Sequence, residues 1–264
     1  MILALQKYIF CHGCQVQVGL PESLLNVYLA PMVYLFLISW FSLLVGPAGL
    51  QYVYSKISME MHSRTVHKGR VNAMKARVYY TAEGKMASYF YEPEEMLVTN
   101  TTKGDMSVYT FKTNTVMQRQ NFNFGTQSNQ LFFFLEDNRT DLGLNKLGFT
   151  LKDTRFENGL KITRWQPPLQ MAKDVDYVEL AHEKGNPIFL GYFNKKKQPL
   201  NKVFFYNYVT VVGHSFPASM TQILFIKPGD STVTKTTYSN FKVDQEVNDE
   251  YLNFKIPADA RVSN

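Results

Sequence analysis

From Tyr52 onward this 264-residue chain is a succession of short apolar/polar alternations cut by turn residues, and no other feature restricts its fold as strongly. Alternation over four to eight positions places one set of side chains inside and the other in water, the pattern of a half-buried β-strand. Candidate strands are Val53–Met61, Ala76–Thr81, Met86–Tyr91, Met96–Asn100, Ser107–Phe111, Val116–Phe124 and Leu147–Lys152. They continue with Leu160–Trp165, Asp176–His182, Ile188–Phe193, Val203–Tyr208, Thr221–Ile226, Thr232–Tyr238 and Leu252–Ile256. Glu83-Gly84, Lys103-Gly104-Asp105, Asn158-Gly159, Lys184-Gly185-Asn186 and Pro228-Gly229-Asp230 supply the turns. One helix is expected, over Asn129–Asp141, where Leu131, Phe134, Leu135 and Leu142 form an apolar stripe. A strand through Phe132–Phe134 is the alternative reading. With 20 Phe and 16 Tyr, the composition also favours a pleated, mainly β (α+β) fold. So many antiparallel strands in an open flat sheet would leave long edges, so the sheet is expected to curl into a barrel or half-barrel with helix over its mouth or concave face.

Two segments divide the chain: a leader over 1–50 and a single β domain over 51–264. Val27–Val45 is free of charge and, as a helix, would be ~28 Å long, close to the bilayer core. The small residues Gly46-Pro47-Ala48-Gly49 follow it, so the segment reads as an export signal or an uncleaved anchor. The bases Lys56, Arg64, Lys68 and Arg70 lie downstream and would oppose export, and either Met1 or Met32 can serve as the start. Cys11 and Cys14 are the only cysteines, so no disulfide framework or cysteine zinc site exists beyond them. The net charge of +6 resides wholly in the β domain and suits an anionic partner or membrane surface more than nucleic acid.

No catalytic pattern stands out. The histidines His12, His62, His67, His182 and His214 form no metal-ligand pair, Ser215 and Ser219 lie outside any nucleophile elbow, and no phosphate-binding glycine loop occurs. Lys195-Lys196-Lys197 reads as a solvated hairpin tip or as a contact for acidic head groups. Phenylalanines spread over many strands instead point to an apolar concave surface. The candidate lining residues are Phe90, Met96, Val98, Phe111, Phe122, Phe124, Phe133, Phe149, Phe205 and Phe225.

Gly84 through Pro93, then Glu95 through Asn100, Gly104-Asp105 and Val108-Tyr109 leading to Val116, together with the closing stretches Tyr238–Val243 and Leu252–Val262, resemble the LolA-like lipoprotein carriers. The resemblance implies an incomplete antiparallel barrel with a helical lid, working in the periplasm as a monomer. It implies acylated lipoprotein or other lipid cargo, an inner-membrane donor complex and an outer-membrane acceptor, with no cofactor, no nucleic acid and no covalent chemistry. The alternative is a structural or surface β-protein held by the Val27–Val45 anchor.

Overall fold

A computed structural model describes residues 54–121, 126, 130–227 and 229–263. The Val27–Val45 segment, Cys11, Cys14 and His12 lie outside the described residues, as do Phe122 and Phe124. No helix among the described residues is long and apolar enough to cross a membrane.

The chain builds β1 (Lys56–His67), β2 (Arg70–Thr81), β3 (Met86–Glu92), β4 (Met96–Asn100), β5 (Asp105–Thr110) and β6 (Thr115–Gln120). The one α-helix among the described residues, α1 (Gln130–Leu135), follows. Then come β7 (Thr150–Glu157), β8 (Leu160–Gln166), β9 (Tyr177–Glu183), β10 (Asn186–Phe193), β11 (Pro199–Val211), β12 (His214–Lys227), β13 (Asp230–Val243) and β14 (Arg261–Val262). The fourteen strands among the described residues join one sheet in the order β14-β6-β5-β4-β3-β2-β1-β13-β12-β11-β10-β9-β8-β7. Two meanders thus meet where β1 pairs antiparallel with β13. The sheet is not closed, and it forms the incomplete barrel that its strand count calls for.

The helix α1 links the two meanders on the inner face of the sheet. Phe132 lies 6.0 Å from Tyr80 on β2, and Phe134 lies 5.1 Å from Phe205 on β11. Those strands are four steps apart in the sheet, or ~19 Å if it were flat. A helix of six residues, ~9 Å long, bridges both through its phenylalanine side chains. Leu131, Phe132, Phe133, Phe134 and Leu135 are all buried, so α1 is apolar all round and surrounded by protein. Their burial contributes on the order of 10 kcal/mol.

The helix is shorter than the periodicity suggests because Asp137 adopts a left-handed conformation (φ 51°) just past its end. Asn138 N–H donates to the Phe133 carbonyl at 2.7 Å and Asp137 N–H to that of Phe134 at 3.4 Å, a Schellman closure. Tyr54 Oη donates to the Leu135 carbonyl and Tyr80 Oη to Glu136, tying the helix end to the sheet.

A second cluster covers the opposite, outer face of the first meander. Tyr79, Ala87 and Leu97 pack there with Val247 and Leu252. The Leu252–Ile256 stretch expected as a strand is irregular: it lies across this face, where Leu252 and Phe254 pack, and forms no ladder. Tyr251 stacks on Tyr89 with ring centroids 4.0 Å apart. Asp244 anchors the start of this strap, accepting from Ser55 N–H and Oγ at 2.7 Å. Beyond the strap, β14 adds in parallel to β6 and covers the start of that sheet edge, at Thr115 and Val116. The other edge strand, β7, carries Lys152, Asp153, Arg155 and Glu157, charges that discourage pairing with another chain.

Gly143 locks the loop that follows α1. It has φ +77°, and a Cβ there would sit 2.2 Å from the buried Phe133 ring. Gly143→Ala should therefore cost about 3 kcal/mol, from left-handed backbone strain plus displacement of Phe133. Gly159→Ala, with a similar φ but open space around its Cβ, should pay only the backbone part. Melting temperatures should fall further for Gly143→Ala, and equal losses would contradict this packing.

Candidate functional site

Antiparallel register assigns each side chain of the first meander to a face. Phe90 opposes Met96, and Met96 opposes Thr110. Ser88, Val98, Val108 and Met117 form the next cross-strand row. Met86, Asn100, Met106 and Arg119 form the third. All three rows share the face on which Met86 joins the α1 core. Phe90, Met96, Val98, Met106, Val108 and Met117 are only half-buried and belong to neither core cluster. They make an apolar strip, here called the trough, on the α1 side of β3–β6.

Three methionines in this trough matter physically. Their unbranched thioether side chains re-pack around irregular apolar surfaces at small cost. Phe90 enters no aromatic pair among the described residues, whereas most other rings of the inner and outer clusters do. Arg119, exposed, ends the third row and puts a permanent cation at the rim.

The structure thus brings Phe90, Met96 and Val98 together and separates them from Phe111, Phe133, Phe149, Phe205 and Phe225. Phe133, Phe149 and Phe205 are core, with exposures of 3%, 2% and 2%. Phe111 sits on the outer face, 4.9 Å from Tyr109 and 5.4 Å from Phe254, because strand alternation puts it on the side opposite Met96 and Thr110. Phe225 also faces outward, with the Lys202 ammonium 5.8 Å from its ring. The sequence reading missed Met106, Val108 and Met117. Their alternation with Ser107 and Gln118 marks one face of a strand, but in the sequence nothing separates a methionine of that face from one of the core.

Lys195, Lys196 and Lys197 are exposed in the turn between β10 and β11. Asn194 Oδ1 shapes this turn by accepting from the N–H groups of Lys196 and Gln198 at 2.9 and 3.0 Å. No group of three His, Cys, Asp or Glu side chains gathers at metal-binding range among the described residues.

No family model matches the sequence, and no curated protein matches it. Solved structures do match. A DUF1329 family protein from Desulfovibrio piger superposes with a TM-score of 0.53 at 17% identity, over 76% of this chain and 90% of that one. An outer membrane lipoprotein-sorting protein domain from Vibrio parahaemolyticus gives 0.53 at 15% identity, over 77% and 91%. A LolA superfamily protein from Nitrosomonas europaea gives 0.50 at 11% identity, over 76% and 92%. The fold is LolA-like. The resemblance read from the strand-and-turn texture therefore holds at the level of fold, and within this LolA-like sheet the trough occupies the α1 side of the first meander.

A hollow of about 370 Å³ lies at the far end of the sheet, lined by Phe156, Lys161, His182 and Lys184 among others. His182 is 6% exposed, and its Nε2 lies 2.9 Å from the Arg139 carbonyl oxygen. Burial lowers its pKa, the Arg139 carbonyl opposes that shift, and the nearby Lys161 and Arg139 charges add to the lowering. Because the folded value lies below the unfolded value of ~6.5, stability is full above that pH and declines as pH falls towards the folded value. The melting temperature should drop between pH 7.5 and 5.5, and His182→Gln should reduce that drop. An identical pH slope in the variant would show that His182 titrates alike in both states.

Proposed function

We propose that the chain is a lipid or lipoprotein carrier whose β3–β6 trough shelters acyl chains. The half-buried apolar ladder of Phe90, Met96, Val98, Met106, Val108 and Met117, next to a filled core yet outside it, supports this reading. An acyl chain of about 16 carbons gains on the order of 12 kcal/mol from leaving water. A surface that accepts it must be apolar and adaptable, and the methionine rows provide both. Arg119 at the rim suits a negatively charged head group. The two matched proteins described by the LolA name and by lipoprotein sorting favour the same class of cargo.

On this reading the protein works in the periplasm, exported or tethered by Val27–Val45, and receives acylated cargo from the inner membrane for delivery to an outer-membrane acceptor. The exposed Lys195–Lys197 turn would meet head groups or a partner. No covalent step is needed.

Phe90→Glu places a charge where methylenes would lie but removes no ring from either core cluster. It should remain folded by circular dichroism and lose at least tenfold in affinity for a fluorescent fatty-acyl probe. Phe111→Glu should do the reverse, since it strips packing from Tyr109 and Phe254: a lower melting temperature, with probe affinity retained while folded. Unchanged binding by Phe90→Glu would refute the trough. A delipidated wild-type protein that binds no probe would refute the carrier reading and favour the structural one.

A further inference from the structure

β1, β2, β12 and β13 outrun their neighbours. The ladder between β2 and β3 begins at Lys75, so Arg70–Met74 of β2 extend past β3 by ~17 Å. On the other side, β11 pairs with β12 only as far as Leu224, and Phe225–Lys227 continue beyond. The tips of the two hairpins lie side by side: His67 opposes Thr232, and Asp230 takes His67 Nε2 at 3.1 Å and Lys68 Nζ at 3.4 Å. The result is a four-stranded tongue projecting from one end of the sheet.

Both faces of this tongue are exposed, yet it is not polar. Val66, Val71, Met74, Leu224, Ile226 and Val233 are 37%, 48%, 37%, 48%, 55% and 37% exposed. Its charge is one-sided as well. Residues 62–74 and 223–235 hold five bases (Arg64, Lys68, Arg70, Lys227 and Lys235) against one acid, Asp230, giving +4 of the chain's +6 in about a tenth of its length. The Lys195–Lys197 turn sits at the same end of the sheet, since β11 starts where β12 ends.

We propose that this tongue docks on the surface of an anionic lipid bilayer. Apolar side chains interleaved with bases match the acyl–headgroup boundary, where the former partition inward and the latter meet phosphates. A purely electrostatic partner such as nucleic acid would leave the exposed Val, Leu and Ile unexplained. The row Phe90–Ala76–Met61 lies at the tongue's base, so docking would bring the trough's edge to the membrane. The proposal does not rest on the trough holding lipid, since it concerns other residues and another readout.

The test uses the full chain carrying Cys11→Ser and Cys14→Ser, with Val71→Cys labelled by an environment-sensitive nitrobenzoxadiazole dye. The dye reads its own surroundings, so membrane partition of the Val27–Val45 segment does not produce its signal. Vesicles of phosphatidylglycerol should shift its emission to the blue, and vesicles of phosphatidylcholine should not. Lys68→Glu, Arg70→Glu and Lys227→Glu combined should weaken the effect at least tenfold, as should raising the salt to 0.5 M on the unreversed chain. A dye at Phe156→Cys, exposed at the opposite end of the sheet, should stay unshifted. No shift on phosphatidylglycerol, an equal shift on phosphatidylcholine or at Phe156→Cys, or indifference to both charge reversal and salt would overturn the proposal. The first result would assign the surface to an acidic macromolecule instead.

Discussion

The fold depends on the insertion of α1's aromatic cluster into the curl of the sheet. Phe132 against Tyr80 and Phe134 against Phe205 and Phe216 join strands from both meanders around one small helix. That cluster joins the two halves in addition to the β1–β13 ladder and the strap. The Schellman closure at Asp137 ends the helix, and the absence of a side chain at Gly143 leaves room for the Phe133 ring. Backbone geometry and core packing thus depend on the same few residues.

A consequence is an uneven interior. The helix fills the concave face in front of β11 and β12 but leaves the rows on β3–β6 half-covered. Those strands obtain their stability from the other side, where Tyr251, Leu252 and Phe254 close the outer face. This division lets the inner face stay apolar and adaptable without supporting the fold. An acyl carrier needs such a division, because its cargo surface must open and close repeatedly while the scaffold stays folded.

Much of the architecture was legible because burial of one face writes alternation into the sequence. Met86–Tyr91 and Met96–Asn100 coincide with observed strands to within a residue, and the Asn158-Gly159 and Lys184-Gly185 turns fall where their positive φ values require. Alternation disappears where both faces meet water. The sequence reading ended the first strand at Met61 and began the next at Ala76, whereas the strands run on to His67 and from Arg70. The missing residues are those of the tongue. The site was less legible than the fold, since a half-buried phenylalanine and a core phenylalanine look alike in one dimension. Phe90 and Phe111 both lie in strand-like texture, and only the register separates inner from outer face. The helix end was hidden for a different reason, since it is set by the left-handed backbone at Asp137 and not by the apolar stripe.

The most direct test of the central claim is to photo-crosslink the delipidated protein with a diazirine-bearing palmitate and map the adducts by mass spectrometry. If the trough carries acyl chains, adducts should concentrate on Phe90, Met96, Met106 and Met117 and be competed away by unlabelled palmitate. Adducts confined to the outer face around Tyr251 and Phe254, or spread over the surface without competition, would contradict it.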